Sequence, residues 1–240
     1  MKTKKVLGGL LLGLQMVAVT LGATLCWLVG GMGIDVSHLD GKTYGSYFYR
    51  GTGTEQDPFT ITRPIHLYNL AKLVNLDSTN GTSFGNMYYQ LGYDFDEDGD
   101  VEFFNYDDDG NNLGTYSDTL NMNYIDNLEP IGNLDSPFSG VINGNNLTLK
   151  NLKINCTGKA DGGLFGVTLT DADISNMYID TIDIDVTNMI IDNSETTDID
   201  RNTDCAFVGY LAGSVESAAS FTNVYINKCS LSGQSNVARI

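Results

Sequence analysis

The chain has 240 residues, 42% of them apolar, with 13 basic and 30 acidic side chains and a formal net charge of −17. That length is enough to build a core without disulfide or metal staples. That acidity repels nucleic acid and anionic lipid, which excludes both as partners, and favours solubility and divalent cations.

In chain order, the first feature is MKTKK followed by Val6 to Ile34, a run of 29 residues without a charge. A cleaved signal peptide has an apolar region of roughly 7–15 residues and a membrane span needs about 20, so this run is long for the first and adequate for the second. The only small-residue cleavage candidate is Leu21-Gly22-Ala23, and Leu25 before Cys26 argues against lipoprotein processing. Residues 1–34 are therefore expected to be a signal peptide or a transmembrane anchor, with the lysines cytoplasmic and the rest exported. The exported part keeps ten basic against thirty acidic residues, a net charge of about −20.

Residues 35–60 read as a linker and a first strand, and 61–137 as a capping helix followed by an acidic loop region. Within the latter, TRPIHLYNLAKLVN (62–75) predicts one soluble helix. Pro64 suits its first turn, Thr62 is a candidate cap, and Ile65, Tyr68, Ala71 or Lys72, and Val74 trace one face. Placed just before a repeat array, the helix is expected to act as its lid. His66 on the helix and His38 in the linker are read as structural or solvated.

The acidic loop is DFDEDGDVEFFNYDDDGNN (94–112). Asp94, Asp96, Asp98 and Asp100 alternate around Gly99, which matches positions 1, 3, 5, 7 and 6 of a calcium loop, with Glu102 at position 9. Hard carboxylate oxygens at that spacing predict a Ca2+ site. The loop departs from the pattern at position 12, where Asn105 replaces the bidentate Glu, and it lacks flanking helices. Asp107, Asp109 and Asn111 would form a second, poorer site. The alternative is a solvated loop in which Asp and Gly only form turns.

From residue 138 to 240 the chain reads as β-helix repeats. FSGVINGNNLTLKNLKI (138–154) sets two alternating apolar runs around an Asn-Gly-Asn-Asn turn. Aligning LTLKNLKINC (147–156), ADISNMYIDT (172–181) and ASFTNVYINK (219–228) superposes Asn151, Asn176 and Asn223. The same alignment superposes Leu149, Ile174 and Phe221 before the asparagine, and Ile154, Ile179 and Ile226 after it. GGLFGVTL (162–169) also aligns with CAFVGYLA (205–212), placing Gly166 opposite Gly209 and implying a four-residue insertion in the later copy. Self-similarity on this scale signals stacked repeats. The expected fold is all-β: a parallel β-helix (solenoid), with ladders of asparagine at an inward corner bonding between coils. Leu152, Ile154, Ile179 and Ile226 should point inward.

GTGTEQDPFTI (51–61), HLYNLAKLVN, PIGNLDSPFSGVINGNNLTLKNLKI (130–154) and GGLFG (162–166) together resemble bacterial surface proteins with GLUG-type repeats, which also occur in the N-terminal regions of IgA-protease-like proteins. The resemblance covers roughly 51–233, with GLFG at 163–166 in place of GLUG. It implies an exported right-handed β-helix within an adhesin-like protein. Protease activity does not carry over, because the chain has no HExxH.

Cys156, Cys205 and Cys229 follow the apolar run, so one internal disulfide at most can form, and their spacing fits no zinc pattern. They read as small buried apolar residues. The sequence thus predicts an exported surface module that binds an extracellular glycan or protein, with the membrane touched only by the N-terminal helix. Alternatives are a polysaccharide-active β-helix enzyme, or a non-catalytic spacer of a larger exported protease. Lys150, Lys153, Lys159, Arg201, Lys228 and Arg239 share no recurring carboxylate neighbour, and no nucleophile is grouped with a base.

Overall fold

The computed structural model describes residues 47–76, 84–107, 111–187, 189 and 207–233. The expected export segment at 1–34, His38, Asp109 and Cys205 lie outside these residues. Among the described residues, no helix is long and apolar enough to cross a membrane.

The elements are β1 (Phe59–Ile61), α1 (Pro64–Asn75), β2 (Tyr88–Leu91), β3 (Phe103–Tyr106), β4 (Asn112–Ser117), β5 (Thr119–Asn121), β6 (Val141–Lys150), β7 (Leu152–Asn155), β8 (Asp161–Gly162), β9 (Phe165–Thr168), β10 (Asp173–Asp185), β11 (Phe207–Val208), β12 (Ala212–Val215) and β13 (Ser220–Ser232). Among the described residues the fold is all-β with one α-helix. The main sheet is parallel, in the order β1-β2-β6-β10-β13, with β5 beside β6 and β7 beside β10. Two short parallel pairs, β8 with β11 and β9 with β12, lie off it, and β3 and β4 form an antiparallel hairpin. The sheet therefore runs back to Phe59, well before the repeats that the sequence reveals.

Successive strands stack like on like. Ile174 pairs with Ile142 and Phe221, and Ile179 with Leu149 and Ile226. The inward set of β10 (Ile174, Met177, Ile179, Ile182 and Ile184) is at most 2% exposed. Leu152 and Ile154 of β7 are equally buried, as expected. Ile226 is only half-buried, because β13 is the last strand of the sheet among the described residues.

The asparagine register differs from expectation. Asn176 and Asn223 are equivalent, and the Asn223 Nδ2 donates to the Asn176 Oδ1 at 3.2 Å. Asn176 in turn donates to Asn143 rather than stacking on Asn151. Asn151 occupies a different corner, between β6 and β7, where it donates to Asn121 at 3.0 Å. All three have positive φ, between 54° and 58°, a conformation that asparagine adopts more readily than other side-chain-bearing residues. One local demand thus writes the same short motif at two non-equivalent corners. These asparagines are also half-buried or exposed, not inward. The Asn-Gly-Asn-Asn stretch is a bulge inside β6, where the register to β10 shifts between Ser175 and Met177. Gly144 is required there, since a Cβ would lie 2.3 Å from the Asn176 carbonyl oxygen.

The glycine alignment shifts as well. Ala212 pairs with Phe165 and Ser214 with Val167, which places Gly166 opposite Gly213 rather than Gly209. Gly209 instead follows the Val208–Gly162 pair and donates its N–H to the Gly162 carbonyl. Because β13 follows β10 at the same offset as β12 follows β9, the four-residue insertion between these landmarks is absent.

Helix α1 begins with Pro64 at its first turn. Its cap is Arg63, without a side-chain capping bond, so Thr62 is not the cap. Instead the Thr62 N–H donates to Nδ1 of His66 at 3.1 Å. Burial, and secondarily Arg63, push the His66 imidazole down to about 3, so the ring is a neutral acceptor in the core. Ten of the twelve helix residues are buried, which exceeds the single apolar face that the sequence pattern traces. Asn75 and Lys72 tie the helix end to the segment 129–132, Asn75 by accepting from Gly132 N and donating to Pro130 O, Lys72 by an ion pair with Glu129.

Candidate functional site

The acidic loop leaves the main sheet after β2 and runs into the β3–β4 hairpin, and the chain rejoins that sheet at β5. Tyr93 and Glu102 close its neck with two backbone bonds of 2.8 and 3.1 Å. Inside the loop, the Gly99 N–H donates to Asp94 Oδ2 at 3.1 Å and the Asp100 N–H to Asp98 Oδ1 at 2.9 Å. Gly99 has φ +96° and Glu97 φ +63°, so two left-handed residues turn the chain sharply enough to bring alternate carboxylates onto one side.

The result is a cluster of Asp94, Asp96 and Asp98, each offering one carboxylate oxygen within 4.8 Å of the others. Asp96 and Asp98 are exposed; Asp94 is half-buried, and its Oδ1 is covered and accepts no hydrogen bond. Of the five expected calcium ligands, these three converge, whereas Asp100 and Glu102 do not join the group. Glu102 is still coupled to it. Partial burial, and then repulsion from Asp96, Asp98, Asp100 and Asp94, raises its carboxyl above the ordinary range. Asn105 is committed to the β3–β4 hairpin through Thr115 at 3.1 Å, so it does not complete the loop. In the second acidic stretch, Asp107 accepts the Asn111 N–H at 2.7 Å and its side-chain amide at 3.0 Å, a closed turn. Three carboxylate oxygens at this spacing suit a hard cation such as Ca2+, whose remaining positions water would fill.

What the sequence reading missed is the aromatic bed under the loop. Phe95 stacks on Tyr116 at 4.6 Å and lies 4.3 Å from Phe104. Tyr49 meets Tyr93, Phe95 and Phe104, and Arg50 sits 4.6 Å over the Tyr93 ring. The signal was the interleaving of Tyr93, Phe95, Phe103, Phe104 and Tyr106 with the acids. Rings hold the loop's base rigidly while its tip carries the charge. A second aromatic feature lies on the outer side of the main sheet, where Tyr178 and Tyr225 stack at 5.1 Å with 12° between ring planes, both exposed.

Cys156 is a buried free thiol, pushed up to about 11 by burial, and Cys229 is exposed and free, unlike the expectation that it would be buried. Compared with protein-family models, curated proteins and solved structures, the chain matches none.

Proposed function

We propose that this chain is an exported surface module whose parallel strands close into the coils of a right-handed β-helix, and that the flank of this solenoid binds a glycan or protein ligand outside the cell. The reading keeps residues 1–34 as the export signal or anchor and follows the resemblance to surface proteins with GLUG-type repeats. The observation that carries it is the outward row on the main sheet. Because β10 and β13 pair in continuous parallel register, Tyr178 and Tyr225 form an exposed stack, flanked by Asp180 bonded to Asn227 at 2.8 Å. Exposed stacked rings beside amides and carboxylates offer both the apolar faces and the hydrogen-bonding groups that sugars and protein surfaces engage. The acidic loop serves as a calcium clamp that fixes the segment between β2 and β3 in the calcium-rich exterior. Arrays of glycans and matrix proteins test the reading. A ligand whose signal falls at least about tenfold in Tyr178→Ala/Tyr225→Ala supports it; no ligand, or one indifferent to both rings, overturns it.

A further inference from the structure

A cavity of about 300 Å3 opens between the loop 130–135 and the segment 158–161 that leads into β8. Asp161 stands in its wall, is only 6% exposed, and has a fully covered Oδ1 that accepts no hydrogen bond. Buried polar groups nearly always have a partner, and a buried carboxylate needs one most. The neighbouring donors are spent elsewhere. Lys159 Nζ is paired with Glu129 Oε2 at 2.9 Å, and Lys72 also holds Glu129. Both ends of the Asn75 amide are bonded to the backbone at Pro130 and Gly132. The Asn133 Nδ2 donates to the Asn75 Oδ1 at 3.4 Å. Pro130, Leu134 and Ala160 supply apolar wall.

We propose that this cavity binds a small organic ammonium ion, with Asp161 accepting the ammonium N–H groups and the apolar wall covering the carbon stem. This site is separate from the flank and the acidic loop described above. A cationic donor supplies both the missing hydrogen bonds and the missing counter-charge; a neutral alcohol supplies only the first. A metal ion would find only Asp161 and the rim carboxylate of Asp135 there, short of the several oxygens that Ca2+ or Mg2+ requires. The volume lies at the lower end of ligand pockets, which suits a compound of a few heavy atoms.

Burial pushes the Asp161 carboxyl up to about 6, so binding should depend on pH in the mildly acidic range. The charged groups around it are Lys159, Lys72 and Glu129 on one side and Asp135 on the rim; β11, which pairs with β8, brings only Phe207 and Val208. Burial acts to raise Glu129, but the bonds from Lys72 and Lys159 outweigh it and hold this carboxyl below the ordinary range, away from that window.

The test is calorimetric titration of the full chain with n-butylammonium chloride and with 1-butanol, its uncharged isostere, in moderate salt. One-to-one binding of the ammonium is expected, at least about tenfold tighter than 1-butanol, weakened about tenfold by Asp161→Asn and by lowering the pH from about 7.5 to 5. Asp135→Asn should leave the affinity within about twofold, separating a built site from general attraction to an acidic surface. Equal binding of 1-butanol, an unchanged affinity in a folded Asp161→Asn protein, a flat pH profile, or no heat at tens of millimolar would each overturn the proposal. The wild-type pH profile decides the matter even if the variant fails to fold.

Discussion

β10 and β13 are near copies in pattern and opposite in circumstance. Their residues pair one to one, and both carry an asparagine at φ close to 55° and an apolar residue at each inward position. Yet the inward set of β10 is sealed, whereas in β13 Phe221, Val224 and Ile226 are half-buried and Leu231 is 54% exposed. The difference lies in neighbours. β10 has β6 and β7 on one side and β13 on the other; β13 has β10 alone among the described residues. In a stack, burial belongs to the interface between strands more than to the strand, so equal sequences contribute unequal stability.

The sharpest way to break this comparison is to make the same cut in both strands. Ile179→Ala removes a fully buried side chain from the sheet interior and should cost about 3 kcal/mol. Ile226→Ala, its register partner, should cost below about 1 kcal/mol, because its cavity opens to solvent. Urea unfolding of the two variants measures both. Equal losses would mean that β13 is covered in solution.

The asparagines sharpen the comparison further. Asn176 both donates to Asn143 and accepts from Asn223, whereas among the described residues Asn223 has only the side-chain bond to Asn176. Asn176→Ala forces a β-carbon into the left-handed region and severs both bonds, a loss of about 2 kcal/mol. Asn223→Ala should lose roughly 1 kcal/mol. Glycine at either position relieves the backbone and leaves only the missing ladder bonds, so Asn176→Gly should recover part of the loss. If glycine is no better than alanine in thermal melts, the side-chain ladder rather than backbone conformation explains these residues.

This pair also shows what the sequence could and could not reveal. The all-β character and the inward set Leu152, Ile154 and Ile179 were legible, because alternation reports directly on a strand with one buried face. The equivalence of Asn151 with Asn176 was not. Positive φ followed by an apolar residue is a local requirement, and it recurs at two non-equivalent positions of the sheet. The bulge at Gly144–Asn146 hid the true partner, Asn143, since bulges shift register without an obvious mark in composition. Entry of β1, β2 and β5 into the same sheet was hidden by the acidic insertion between β2 and β5. At the loop, alternate aspartates on either side of a turn were readable as converging. That Asp100 stays outside the group was not, because it depends on the left-handed Glu97 and Gly99 together. Asp161 escaped notice altogether: beside Gly162 and Gly163 it reads as a turn residue, and only packing reveals that it is buried without a donor.

Asp161 supplies the next test, of burial that brings cover without a partner. The folded carboxyl keeps its proton to about 6, above the ordinary value of the unfolded chain. The folded state therefore binds more protons between about pH 4 and 6, so stability falls as pH rises through that window and stays lowered above it. Asp161→Asn removes the loss. The variant should be about 1–2 kcal/mol more stable than the parent at pH 8, a figure discounted for the solvent that reaches the cavity, and no more stable near pH 4. Chemical denaturation at the two pH values checks the crossover; an unchanged difference would place the carboxyl in contact with a donor.

The smallest expected effect lies outside the stack, in the acidic loop. Its coupling to the sheet passes through the Tyr93–Glu102 bonds and the ring contacts of Phe95, so an ion there stabilises a local segment more than the sheet. With three converging carboxylates and no bidentate ligand at Asn105, affinity should fall in the roughly 10⁻⁴–10⁻³ M range of extracellular modules. Calcium at a few times its dissociation constant then adds about 1 kcal/mol by mass action, seen as a modest rise in Tm. Asp96→Asn/Asp98→Asn should abolish the rise and leave the calcium-free Tm unchanged or slightly higher, since two mutually repelling charges are gone. The ion should also lower the Glu102 carboxyl by offsetting the repulsion from Asp96, Asp98, Asp100 and Asp94. Proton and calcium therefore compete, and affinity should decline as pH falls through the Glu102 transition. A Tm indifferent to millimolar calcium, together with a Glu102 titration unmoved by it, would reduce the loop to a solvated acidic insertion held on its aromatic base.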